Sequence, residues 1–455
     1  MKSESLQAYL VPHPPLIVPE VGGKREIPIT RAAYGKVAAE IAALKPDTLV
    51  IFSPHSILYA DYFHISPGKS ASGDFGQFRA QQVKISVEYD AELAALIGDL
   101  AQADGIAAGS LGERDSKLDH GVMVPLYFFK APSVVRIGLS GFSLETHYRF
   151  GMCVRKAIER LGRGAAIIAS GDMSHKLKAD GPYGFDPAGP VHDEFVKECL
   201  ERGDFRKLLT IDPSLAEAAA ECGLRSIIML AGAMDGCDIT SEVYSYEGPY
   251  GVGYLTAAVR GGGRRASLLP DIIADKKAKL AALRDAEDEF VRLARQNVEH
   301  FVKTGKTIAP PGNLPPGLTE RRAGVFVSIK KNGDLRGCIG TIAPICDSIA
   351  LEIIQNGVSA ASHDSRFEPI APDELEELTY SVDVLAEPEP IADKSQLDVK
   401  RYGVIVTHGR KRGLLLPNLE GVDTVEQQIS IALQKGGIRG SEPYTIERFE
   451  VVRHK

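Results

Sequence analysis

Up to about Arg260 the chain alternates short β-rich apolar runs with longer stretches of helical periodicity. That alternation confines the first part of the fold to α/β: an open, parallel sheet covered by helices. The runs Leu6–Val11, Thr48–Ser53, Val134–Leu139, Ala165–Ser170 and Gly251–Val259 are expected as strands. Thr30–Leu44, Ala91–Asp104, Thr146–Leu161 and Pro190–Arg202 space their apolar residues as helices do, and a further helical region precedes Gly251. The segment Ile57–Ser86, rich in Gly, Ser and aromatic residues, fits neither pattern, and hairpin strands are one way to fold it.

A chain of 455 residues exceeds one ordinary core and suits two domains. The stretch GGGRRASLLPDIIAD, Gly261 to Asp275, gathers Gly and Arg ahead of a proline and is the clearest boundary. We therefore expect a first domain over 1–262, a linker over 263–275 and a second domain over 276–455. In the second, Ala274–Thr304 reads as one or two amphipathic helices, followed by a Pro-rich loop at Ala309–Pro316. Gly324–Lys330 then alternates, Asn332-Gly333 supplies a tight hairpin turn, and Tyr402–Thr407 with Gly413–Leu416 repeats the arrangement across Gly409. This domain is expected to be α+β.

Hydrophobic residues at 44% and charged residues at 25% point to ordinary globular domains and away from disorder. No apolar run approaches the ~18 residues of a membrane helix, and MKSESLQAYLVPHPP lacks the basic start and apolar core of a signal peptide. The expected compartment is the cytoplasm, with no membrane partner. A net charge of −7 gives no footprint for a nucleic-acid backbone, so a small molecule or a protein is the expected partner. The six cysteines are scattered without CxxC pairs, so they are expected reduced.

His13, His55 and His175, in YLVPH, VIFSPH and IIASGDMSH, each follow an apolar run directly or by a few residues. In open α/β sheets the C-terminal strand ends surround a common crevice, where ligands bind. One histidine there is usually structural; three in register point to a site. Two imidazoles and a carboxylate with open positions form the facial arrangement that suits non-haem Fe(II). His120, in LDHGVMVPLYFF, precedes a strongly apolar segment, and Asp119 or Asp172 can orient it. Asp119 reads equally as a helix N-cap. The remaining histidines, His64, His147, His192, His300, His363, His408 and His454, fall in loops or polar helix faces and read mostly as surface residues.

The ordered set VPHPP, SPHS, LDHGVMVPL and ASGDMSHK resembles the class III extradiol dioxygenase (LigB-like) superfamily, nearest its Memo branch, over residues 5–260. In ring-cleaving members two histidines and a glutamate bind Fe(II), a catecholate and dioxygen bind beside them, and another histidine acts as acid/base. The resemblance implies His13 and His55 as metal ligands, His175 as the catalytic acid/base and His120 as a further catalytic-site histidine, with Asp172 and Asp119 behind them. The third ligand falls in AAAECGLRSI. Glu221 offers the hard oxygen that suits Fe(2+) and is expected first; Cys222 is the alternative, since the Memo branch uses a cysteine here and a thiolate favours softer metals, copper included. The implied function is an Fe(II)-dependent oxidoreductase acting on a small, aromatic substrate. The alternative is a Memo-type metal-binding protein that acts as an adaptor or as a metal-dependent lyase or hydrolase.

GDLRGCIGTI (Gly333–Ile342) and ASHDSRFEPI (Ala361–Ile370) resemble the AMMECR family over residues 275–452. Read physically, Gly337 and Gly340 permit close approach or positive φ, Arg336 can grip a carboxylate or phosphate, and Cys338 lies between them. Such a loop suits an anionic ligand. It reads equally as a tight turn with a buried cysteine, and Arg366 with Asp364 as an internal ion pair. The two modules together resemble the AmmeMemoRadiSam system, whose third component is a radical S-adenosylmethionine enzyme. This chain lacks the CxxxCxxC motif of such enzymes, so the implied partner is a separate protein.

Overall fold

In the computed structural model, which describes residues 6–23, 26–112, 114, 117–419 and 421–455, the apolar runs pair as strands. They are β1 (Gln7–Val11), β2 (Thr48–Ser53), β3 (Ser133–Gly138), β4 (Ala165–Ser170), β5 (Cys237–Glu247) and β6 (Tyr254–Arg264), in the spatial order β3-β2-β4-β1-β6-β5. The first four are parallel, with Val11 beside Ser170 and Phe52 beside Ala169. Every residue of β2 and β4 is buried, because helices cover both faces of these central strands and leave no room for polar alternation. Leu10, Val50 and Phe52 face one core; Tyr9, Val11, Leu49 and Ile51 face the other.

The sheet is mixed rather than wholly parallel: β6 runs antiparallel to β1, and β5 antiparallel to β6. β5 occupies the end of the stretch expected as helical. It is an edge strand whose sequence CDITSEVYSYE alternates exposed and half-buried positions, so it carries no continuous apolar signal. The uncertain segment after Ile57 contains a hairpin, Ser70–Phe75 with Ala80–Glu88. The stretch expected as a linker is largely structured. β6 continues to Arg264, the helix Leu269–Asp285 starts soon after, and the two compact units divide between Asp275 and Lys276.

Two helices beneath the sheet, Leu144–Leu161 and Leu224–Ala233, approach so closely that glycine is required where they cross. A Cβ at Gly232 would lie 1.9 Å from the Tyr148 carbonyl oxygen, and one at Gly151 2.0 Å from that of Met229. Gly232→Ala must therefore push the helices apart. We expect it to destabilise the first unit by about 1–3 kcal/mol, read as a lower urea midpoint. An unchanged midpoint would mean that the crossing yields freely.

The second unit, Lys276–Lys455, holds β7 (Val325–Lys331), β8 (Asp334–Gly340), β9 (Leu378–Leu385), β10 (Tyr402–His408), β11 (Lys411–Leu415) and β12 (Thr445–His454), ordered β8-β7-β9-β12-β10-β11. Asn332 and Gly333, at φ 55° and 95°, make the expected turn between β7 and β8. Helices Glu289–Thr304 and Ile349–Ser362 pack on Val325, Val327, Val382 and Val384, while Val425–Lys435 packs on Val404 and Val406. Strand registers put these valines on one face. The opposite face, with Phe326, Leu385, Ile405 and Phe449, is an apolar cluster to which, among the described residues, no helix contributes.

Candidate metal centre

Because β2, β4 and β1 are neighbours, the segments leaving their C-terminal ends meet. His13 Nε2 lies 3.0 Å from His55 Nε2. The Ser170 hydroxyl donates to the Gly121 carbonyl at 2.6 Å, so its oxygen can only accept from His13 Nδ1, 2.9 Å away. That bond fixes the tautomer: Nδ1 carries the proton and Nε2 presents its lone pair to the crevice.

His120 opens the helix His120–Phe128, and Asp119 caps it by accepting the Val122 amide at 3.1 Å. Its ring lies 4.0 Å from that of His55 and 5.3 Å from that of His13. Ligand atoms of His13, His55 and His120 all fall within 4.8 Å of one another. Asp119 accepts from Ser53 at 2.6 Å and Ser56 at 2.8 Å, and pairs with the buried Arg136 at 3.1 Å. Burial pushes its carboxyl upward, but Arg136 and the two hydroxyls outweigh that and hold it below the usual range.

The imidazoles are held neutral. Burial, then the neighbouring rings, bring His13 well below its ordinary value and His120 to about 3; burial lowers His55 and His175 as well. Neutral imidazole is the form that binds a metal. Asp172 is raised to about 6 by burial, against the His13 amide that donates to it at 2.8 Å.

The two candidates for the third ligand separate in space. Glu221 turns to the start of the helix Leu224–Ala233 and accepts the Leu224 amide at 2.6 Å, and no bond or ion pair joins it to the three histidines among the described residues. Cys222 Sγ instead stands 3.7 Å from His13 Nε2 and 3.9 Å from His175 Nε2. Of the two, Cys222 and not the first-expected Glu221 stands beside the histidines. Ala220 in the left-handed region (φ 52°) precedes this turn. His175 is anchored through its amide on the Ala219 carbonyl and stacks on Tyr183 at 5.1 Å.

Taken pair by pair, two of the separations are compatible with donors that share a metal ion. Two nitrogens each about 2.1 Å from a metal at a right angle stand roughly 3.0 Å apart, and a nitrogen and a thiolate at a tetrahedral angle about 3.6 Å apart. The observed separations are 3.0 and 3.7 Å.

Elsewhere, expectation and placement differ. His64, His147 and His192 are buried rather than on the surface: His192 pairs with the equally buried Asp193, and His147 lies on the buried face of its helix, where its Nδ1 donates to the Ser143 carbonyl. Arg336 offers no open grip for an anion, since its guanidinium is bound to Glu374 at 2.8 and 3.0 Å and to the Glu368 carbonyl. The LRGCIG motif lies wholly on a strand, β8, rather than in a loop. Its glycines serve close approach, a Cβ at Gly337 meeting the Ala360 carbonyl and one at Gly340 the Phe326 ring, and neither has a positive φ. Arg366 and Asp364 do form an internal ion pair. Arg136, Ser170, Ser53 and Ser56 went unread in the sequence. Arg136 had a signal, being the one charged residue in the apolar strand SVVRIG.

Histidines clustered beyond the carboxyl ends of adjacent parallel strands define a candidate metal site on a protein of the α/β class. The profile of the catalytic LigB subunit of aromatic ring-opening dioxygenase matches residues 7–257, and that of AMMECR1 residues 291–454. The chain belongs to the LigB family and carries an AMMECR1 domain behind its LigB domain. A Clostridium acetobutylicum protein is 42% identical over 461 residues, covering 98% of each chain. A Thermotoga maritima protein is 49% identical over 171 residues, which cover 37% of this chain and 98% of that protein. Among solved structures, an uncharacterized Escherichia coli K12 protein shares 15% identity, with a TM-score of 0.37, over 56% of this chain and 99% of that one. Among the described residues no helix is long and apolar enough to cross a membrane.

Proposed function

We propose that the first unit is a metal-dependent oxidoreductase of the ring-opening dioxygenase type, with His13, His55 and Cys222 holding one redox-active ion, iron(II) or copper. The close approach of His13 Nε2 to both His55 Nε2 and Cys222 Sγ, beside His120, supports this reading. An ion there supplies Lewis acidity to a substrate hydroxyl and a binding position for dioxygen.

The chain's own groups do the rest. Ser170 locks the His13 tautomer, and Asp172 positions His13 through its amide. His175, neutral and with Nε2 facing the Cys222 side of the crevice, takes the hydroxyl proton of a small aromatic substrate and later returns it. Tyr183 holds the His175 ring flat from the solvent side. A separate radical S-adenosylmethionine partner belongs to the same reading and is supported by the pairing of the two domains.

Elemental analysis of protein purified without air, followed by oxygen uptake with a panel of catechols, tests this. We expect about one iron or copper per chain and oxygen consumption that His175→Ala abolishes while retaining the metal. Metal bound without uptake would eliminate ring cleavage. It would leave a second reading, favoured by sulfur standing where a carboxylate was expected: a lyase or hydrolase in which the ion polarises a carbonyl.

A further inference from the structure

Among the described residues β8 stands at one end of the second unit's sheet, with β7 as its only strand neighbour. An open strand edge invites pairing with another strand, and this one runs for seven residues. Successive residues of an antiparallel strand turn their amide and carbonyl alternately inward and outward. Just past β8 the Thr341 amide bonds inward to the Val325 carbonyl at 3.0 Å, so Gly340 and Cys338 present theirs to the open side.

Cys338 is satisfied without a strand. Its amide donates to Asp364 Oδ2 at 2.9 Å, and its carbonyl accepts from Arg366 Nη2 at 3.1 Å. Asp364 and Arg366 are joined to each other at 2.6 and 2.9 Å, so one ion pair supplies both the acceptor and the donor that a facing strand residue would supply. The segment that carries them is tied to β8 a second time. Arg336, two residues before Cys338, donates to the Glu368 carbonyl at 2.8 Å and to Glu374 at 2.8 and 3.0 Å. The Asp364 side chain is buried, while that of Arg366 is 54% exposed. Among the described residues no side chain accepts the Gly340 amide, so the cover ends at Cys338.

We propose that Asp364 and Arg366 stand in for a neighbouring strand, as an autoinhibitory clasp that withholds the β8 edge from β8 of a second copy of this chain. The LRGCIG and ASHDSRFEPI stretches are then two halves of one device, the strand and its cover. A second copy is the occupant that the sequence of β8 suits. In an antiparallel pair centred on Cys338 across a two-fold axis, Arg336 of each copy lies opposite Gly340 of the other, and Asp334 opposite Ile342. No like charges face each other, so nothing in the strand itself opposes the pairing. The other end of the sheet is defended differently: β11 has five residues and opens on Lys411 and Arg412.

Hydrogen exchange of the full chain, resolved to single amides by mass spectrometry, reads the clasp in the wild type. Relative to its intrinsic rate, the Cys338 amide should exchange at least about tenfold more slowly than that of Gly340, the factor contributed by one charge-assisted bond. Equal protection of the two amides overturns the proposal, whatever the variants do. The double variant Asp364→Ala, Arg366→Ala should sediment at double the wild-type mass. Adding Cys338→Pro, which removes the central amide at an edge position where proline is tolerated, should restore the wild-type mass. If the double variant does not fold, Arg366→Ala alone carries the test: truncating an exposed side chain frees the Cys338 carbonyl, and a fraction of the chain should reach the doubled mass. An unchanged mass in the variant that folds, or a doubled mass that survives Cys338→Pro, overturns the proposal.

Discussion

His13→Ala and His55→Ala are each expected to strip the stoichiometric metal from protein purified without air, whereas Glu221→Gln keeps it. Loss of an outer hydrogen-bonding group such as Ser170 costs a metal site roughly 10–100-fold in affinity, and loss of a ligand should exceed that. Cys222→Ser should weaken binding and shift it toward harder ions. The pH dependence separates the sulfur from the imidazoles. Burial, then Asp172 and Glu221, hold the Cys222 thiol well above its ordinary value, so it is protonated at neutral pH and must release a proton to ligate. The histidines are already neutral and release none. Apparent affinity should therefore climb about tenfold per pH unit through the neutral range in the wild type, and the slope should vanish in Cys222→Ser. A flat wild-type titration would exclude sulfur ligation, and full metal occupancy in His55→Ala would overturn the site itself.

What the sequence discloses here follows from which signals are local. Strands such as TLVIFS and AAIIAS are continuous apolar runs because both their faces are covered, and the histidines just beyond them are legible for the same reason. β5 is not legible, because an edge strand alternates with water and its antiparallel pairing to β6 leaves no mark on its own residues. Glu221 and Cys222 are adjacent, and the direction each takes depends on the turn at Ala220 and on a helix start that needs a cap. Composition cannot report that. The AMMECR motif shows the same limit: Arg336 looks poised for an outside anion until Glu374, 38 residues away, takes its guanidinium. The candidate site residues are visible as types and spacings. Their partners depend on contacts made across the fold.

Arg136→Met should be the most damaging substitution away from the ligands themselves. Arg136 is 2% exposed, donates to Ser56 at 2.9 Å and to the Lys117 carbonyl at 2.8 Å, and closes on Asp119 at 3.1 Å. Methionine fills much of the volume but leaves Asp119 buried without its counter-charge, a loss of about 3–5 kcal/mol. Asp119 also caps the helix that begins at His120 and binds Ser53 and Ser56 on either side of His55, so weaker metal binding should accompany the loss. The sign with pH is fixed by the direction of the shift. The folded carboxyl lies below its unfolded value, so its contribution is present above the unfolded value and disappears as pH falls through the folded one. Urea unfolding at neutral pH should thus show the full deficit in Arg136→Met, and the gap from the wild type should narrow in acid. Adding Asp119→Asn should restore part of the neutral-pH loss, because the buried charge is gone. A deficit under about 1 kcal/mol, or one that widens in acid, would mean that the pair is solvated like a surface salt bridge and does not hold the histidine cluster in place.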